Sequence, residues 1–133
     1  MRISRSFVYA ADALTQLARQ PSGATLSATQ MADGGGVSSR FLLHVLRLLV
    51  EAGVLTSRKG PAGGYTLARP PAEISLLQVL EAVEGTLRFS ADDEGRFDEE
   101  AAGVLAEATQ AMRRRWAEVT LDQLTGANGN GES

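Results

Sequence analysis

Cysteine is absent from the 133 residues, and histidine occurs once, as His44. Without thiols there is no disulfide, no thiolate nucleophile, no zinc finger and no cysteine-ligated iron–sulfur cluster. A lone histidine excludes a multi-histidine metal site and leaves the many hydroxyls without an oriented Ser/His/Asp set. Aromatics make up only 5% of the chain. No apolar run approaches the roughly eighteen residues of a spanning helix, so no membrane partner is expected. The opening Met1-Arg2-Ile3-Ser4-Arg5 enters an amphipathic segment with no apolar signal region, and the expected location is the cytoplasm. No Gly-Lys-Ser/Thr follows the glycine-rich stretch near residue 60, so a phosphate-binding loop is excluded. Asp92, Asp93 and Glu94 lack the alternating spacing of a calcium loop and are expected to be solvated. Nothing calls for a cofactor, a metal or an enzymatic activity.

What remains is one core and an uneven charge. The 44% hydrophobic content suits a single globular domain with one long additional helix. The net charge of -3 hides an asymmetry: residues 1–70 hold eight Arg and Lys against three acids, the remainder five against thirteen. A basic front and an acidic back are expected where one face meets phosphates, although a scatter of surface charge reads similarly.

Apolar spacing predicts a first helix over 4–20, with Val8, Ala11, Leu14, Leu17 and Ala18 on one face, stopped by Pro21-Ser22-Gly23. Ser27 and Gln30 form a capping box for a short second helix that ends at Gly34-Gly35-Gly36. Ser38 is the expected N-cap of a third helix, whose Phe41, Leu42, Val45, Leu46 and Leu49 run to Gly53. Two helices joined by a glycine turn make a helix-turn-helix. Val54-Leu55-Thr56 and Tyr65-Thr66-Leu67 flank a Gly/Pro turn and predict a β-hairpin, with Arg58 and Lys59 at its base and Arg69 on the return strand. A hairpin directly after a helix-turn-helix is a wing.

Ser75 and Gln78 form a second capping box, opening a helix that Gly85 ends. A long helix is predicted from about Asp98 to Leu124, with Leu105, Ala108, Met112, Trp116 and Val119 at heptad-like steps. That stripe is the candidate dimerisation surface, with packing onto the chain's own core as the alternative. Arg113-Arg114-Arg115 reads as a solvated face within reach of Glu118. The expected fold class is mainly α with a small β-hairpin: a winged helix-turn-helix over 1–71, a connecting helix and acidic loop over 72–97, a dimerisation helix over 98–125 and a tail over 126–133.

The third helix is the candidate reading helix. Ser38, Ser39 and Arg40 occupy its N-terminal turn, where backbone donors suit phosphate, and His44 and Arg47 its outer face, where Arg can bond guanine edges. Leu43, Leu48 and Val50 make the helix apolar nearly all round, which points to further burial. Gly60 and Gly63 hold a narrow hairpin tip able to enter a minor groove, with Arg58 and Lys59 meeting its negative potential. Arg2, Ser4 and Arg5 supply an N-terminal polar and basic set for phosphates.

The ordered set Gly60-Pro61-Ala62-Gly63-Gly64-Tyr65, Leu67-Ala68-Arg69-Pro70-Pro71, Ile74-Ser75-Leu76-Leu77 and Glu81-Ala82-Val83-Glu84-Gly85 resembles the Rrf-two-type winged-helix regulators, the family of IscR, NsrR and CymR. Met1-Arg2-Ile3-Ser4 with Tyr9-Ala10, and Val37 through Leu42, match as well. The resemblance implies a homodimer held by the long helix, with double-stranded DNA as partner. It implies reading helices in successive major grooves and wings in minor grooves. It places base and phosphate contacts at Ser38, Ser39, Arg40, His44, Arg58, Lys59 and Gly60. Two departures stand out. Val8 replaces a frequently basic residue, and Leu43 a commonly polar reading residue. The sensing members hold an iron–sulfur cluster on three cysteines after the fourth helix, where Thr86–Glu100 here is short and cysteine-free.

The expected function is sequence-specific transcription regulation, as a repressor, by a homodimer on a palindromic operator. A winged helix docking on another protein through its apolar third helix is the competing class. A small-molecule effector near Trp116 and the acidic loop is a third alternative.

Overall fold

A computed structural model of the chain describes residues 4–87 and 95–126. Arg2, the acidic Asp92, Asp93 and Glu94, and the tail beyond Gly126 lie outside the described residues.

Ser4 starts the first helix as expected, its hydroxyl oxygen accepting the Phe7 N–H at 3.1 Å. Helix α1 (Arg5–Ala18) buries Phe7, Ala10, Ala13, Leu14 and Leu17. Val8, read from spacing as part of the apolar face, instead points outward at 48% exposure. The buried stripe begins one residue earlier, at Phe7, and steps by three and four from there. Helix α2 (Ala28–Gly35) opens on the expected reciprocal cap, with bonds of 3.1 and 2.8 Å between Ser27 and Gln30. It closes on Gly36, whose φ of +68° a side chain would resist. Ser38 then caps α3 (Ser39–Glu51), accepting the Phe41 N–H at 3.2 Å. Leu42, Val45, Leu46 and Leu49 on its inner face are buried. The turn between α2 and α3 completes the helix-turn-helix.

Strands β1 (Leu55–Arg58) and β2 (Gly64–Leu67) form the antiparallel hairpin, in register from Leu55 opposite Leu67 to Arg58 opposite Gly64. This corrects the placement of the wing's cations. β1 runs two residues beyond the expected Thr56, so Arg58 sits on the last rung before the turn and Lys59 begins the turn, rather than both lying at the base. The tip closes with Gly63 N–H on the Gly60 carbonyl at 2.9 Å. Arg69 is not on the return strand, which ends at Leu67; its guanidinium donates to the Glu73 carbonyl at 3.2 Å.

The hairpin also has an unforeseen third partner. Leu26 and Tyr65 exchange backbone bonds of 3.0 and 2.8 Å, tying the wing to the segment ahead of α2. Gly64 permits that approach: its φ is +145°, and a Cβ would stand 2.5 Å from the Leu26 carbonyl oxygen.

A 3-10 turn (Pro71–Glu73) leads to buried Ile74 and to the Ser75–Gln78 capping box of α4 (Leu76–Glu84). Asp98 caps α5 (Glu99–Glu118) by accepting the Ala101 N–H at 2.8 Å. Glu99 and Glu100 in its first turn suit the positive end of the helix dipole. The helix stops six residues short of the expected Leu124 because tertiary pairing captures its backbone. Leu76 N–H bonds the Val119 carbonyl and Leu121 N–H the Ile74 carbonyl, each at 2.8 Å. Leu121 is fully buried at the head of the 3-10 turn Leu121–Leu124.

The arginine run divides. Arg115 pairs with Glu118 at 3.3 Å in solvent, as expected. Arg113 does not belong to a solvated face: it is half-buried, ion-paired with Glu81 of α4, and donates to the Leu87 carbonyl at 3.0 Å. Glu81 in turn accepts the Leu87 N–H at 2.9 Å.

Candidate nucleic-acid interface

Successive helical residues turn by about 100°, so Arg40, Leu43, His44 and Arg47 share one arc of α3 opposite the buried Leu42, Val45, Leu46 and Leu49. All four are exposed. His44 and Arg47 are neighbours, with Nδ1 and Nη2 3.2 Å apart. Phe41, at the edge of the arc, packs edge-on against Tyr9 of α1 with ring centroids 5.3 Å apart. Ser39 is exposed in the first turn, whereas the hydroxyl oxygen of Ser38 is committed to capping.

Between α3 and the wing runs an open cleft of about 520 Å³, lined by Leu43, His44, Arg47, Val50, Ser57 and Tyr65. Ser57 and Tyr65 were not singled out from sequence, although alternation next to Arg58 carried the signal: they are a cross-strand pair on the face turned to α3. Arg58 belongs to the opposite face of the hairpin with Thr56 and Thr66, and Lys59, Gly60 and Gly63 form the tip. Among the described residues Arg40, Arg47, Arg58 and Lys59 enter no salt bridge. Four unneutralised cations thus border α3 and the wing, the arrangement that attracts a phosphate backbone.

The N-terminal set is split. Arg5 is exposed at the start of α1. Ser4 caps α1 and donates to the Glu84 carboxylate of α4, so its hydroxyl serves the fold. The stripe on α5 divides as well. Leu105, Ala108 and Met112 are exposed, joined by Val104 at 65% exposure. Trp116 packs edge-on against Phe7 at 5.4 Å, and Val119 is held by Leu76.

The helix-turn-helix transcriptional regulator Rv1287 of Mycobacterium tuberculosis is 38% identical over 87 residues, covering 65% of this chain and 54% of that protein. YwgB of Bacillus subtilis, also named a helix-turn-helix regulator, is 36% identical over 85 residues, covering 64% and 54%. The chain spans little more than half the length of these relatives. Among solved structures, IscR of T. potens superposes with a TM-score of 0.76 at 25% identity, over 100% of this chain and 94% of that one. CymR of B. subtilis, titled the global cysteine regulator of that organism, shares the fold with a TM-score of 0.74 at 22% identity, over 96% and 98%.

The matching family model is described as "Iron-dependent Transcriptional regulator". The donor set among the described residues does not fit an iron centre, and the cysteine-free chain offers no thiolate for an iron–sulfur cluster. Cysteine is absent, His44 is exposed and paired with Arg47, and no three His, Cys, Asp or Glu gather around a metal position among the described residues. That model matches residues 3–127, and the chain belongs to the Rrf2 family of transcriptional regulators.

Proposed function

We propose that the protein binds DNA sequence-specifically as a homodimer on a palindromic operator in the cytoplasm, and represses transcription by covering that stretch. The observation carrying this reading is the outer arc of α3, where Arg40, His44 and Arg47 lie beside a wing tip bearing Arg58 and Lys59, with no carboxylate among the described residues paired to them. Phosphate neutralisation by these cations supplies affinity, and base-edge contacts from α3 supply preference. The exposed Val104, Leu105, Ala108 and Met112 on α5 support a second copy as the partner. Two copies would set their reading helices one helical turn apart, about 34–36 Å.

Selection of bound fragments from the organism's own genome tests the proposal. Enriched fragments should share an inverted repeat and outcompete random duplex at physiological salt. No preference over random duplex, together with crosslinking of α3 to a partner protein, would instead establish the wing and α3 as a protein-docking surface.

A further inference from the structure

On the face of the wing turned away from the α3 cleft lies a second cavity, of about 550 Å³. Its walls are the end of α1 and the Pro21-Ser22-Gly23 turn on one side, and Arg58, Thr66, Leu67 and Arg69 on the other. The volume falls within the ordinary range for small-ligand sites, about 300–1,000 Å³.

Three features define what it would hold. Two arginines line it, and no Asp or Glu does among the described residues. Arg69 is half-buried, and its guanidinium is held by a bond to the Glu73 carbonyl. The end of α1 contributes about half a negative charge, well short of cancelling the two arginines. Leu17, Pro21 and Pro70 provide an apolar wall. Thr66 adds an independent sign: it is only 6% exposed, lines the cavity, and its hydroxyl has no hydrogen-bond partner among the described residues. Buried hydroxyls are rarely left unpaired, because the lost bond to water has to be replaced.

We infer that this cavity is a binding site for a small anionic molecule with an apolar body, its carboxylate or similar anion held by Arg69 and Arg58 and by the Thr66 hydroxyl. Because Arg58 also stands on the last rung of the wing, an occupant that engages it withdraws a cation from the DNA-facing tip. Binding of such a ligand opposes binding of duplex. This coupling rests on the proposed DNA-binding function; the cavity's occupancy does not.

Calorimetric titration of the full chain with naphthalene-1-carboxylate, in the absence of DNA, tests the site. Saturable binding of one molecule per chain is expected, with neutral naphthalene-1-methanol at least tenfold weaker. Thr66→Val and Arg69→Gln should each weaken binding fivefold or more while leaving the circular dichroism spectrum unchanged. Arg58→Gln combined with Arg69→Gln should abolish it. Absence of binding, equal affinity for the neutral analogue, or unchanged affinity in the variants overturns the site. Anisotropy of a labelled operator then reads the coupling, with duplex affinity expected to fall at least threefold on adding the carboxylate to wild type but not to Arg69→Gln. Naphthoate binding by a protein that binds no duplex would leave the site standing and remove the DNA-binding proposal alone.

Discussion

Replacing Gly64 by alanine is expected to cost about 3 kcal/mol of stability, from two sources. The first is backbone strain. At φ +145° an L-residue is held in a region worth roughly 1–2 kcal/mol of penalty. The second is contact with main chain that has no slack: the new Cβ would lie 2.5 Å from the Leu26 carbonyl oxygen and 2.8 Å from its carbon. Relief requires the segment ahead of α2 to part from the wing. That sacrifices the two Leu26–Tyr65 hydrogen bonds, at about 1 kcal/mol each. With a urea dependence of about 1.5 kcal/mol per molar, the unfolding midpoint should fall by roughly 2 M. Gly103→Ala is the internal control. Its Cβ would meet nothing within 4 Å in the second turn of α5, so helix propensity alone should raise stability by about 0.5–1 kcal/mol. Urea unfolding followed by circular dichroism measures both. A Gly64→Ala midpoint within about 0.3 M of wild type would refute the claim that the wing is pinned through Leu26.

Three further outcomes are expected. Arg113→Met leaves the half-buried Glu81 carboxylate without its cation and with only the Leu87 N–H as a partner, and should destabilise by about 1–3 kcal/mol. Adding Glu81→Leu should recover much of that loss, a non-additivity that a double-mutant cycle in urea would read. Arg40→Ala should flatten the preference at one base pair per half-site, worth about 1–3 kcal/mol in competition binding, while Lys59→Ala weakens all sequences alike and lowers the slope of log affinity against log salt by about one. Leu105→Glu with Met112→Glu, at positions exposed in a single chain, should shift sedimentation equilibrium from dimer to monomer without altering the helical signal of the chain.

Features written locally were legible in the residues alone. Each capping serine satisfies a donor two or three residues away, so Ser27, Ser38 and Ser75 mark helix starts without knowledge of the rest. The spacing of Leu42, Val45, Leu46 and Leu49 gave α3 its inner face, and with it the outer arc of Arg40, His44 and Arg47. What escaped depends on distant partners. Nothing near Leu26 announces a strand, because its pairing with Tyr65 is a single bridge made possible by Gly64. No glycine or proline stops α5 at Glu118; the stop comes from Ile74 and Leu76 some forty positions earlier. Arg113 looks like its neighbours Arg114 and Arg115 until α4 brings Glu81 against it. Arg58 moved from the base to the last rung for a smaller reason, a hairpin register that places the turn at Lys59–Gly63 and decides which strand face each residue joins.

Among the described residues the ties of α5 to α4 gather toward its C-terminal end, where Val119 and Leu121 stitch it to the head of α4 and Arg113 pairs with Glu81, so the helix is a lever clamped at that end. Its twenty residues extend about 30 Å. A rocking of about 5° at the clamp therefore swings Glu99 through roughly 2.5 Å. The pivot lies at Trp116, which rests on Phe7 in the first turns of α1. Whatever grips the outer end of the lever thus pushes on α1, whose Tyr9 meets Phe41 of α3.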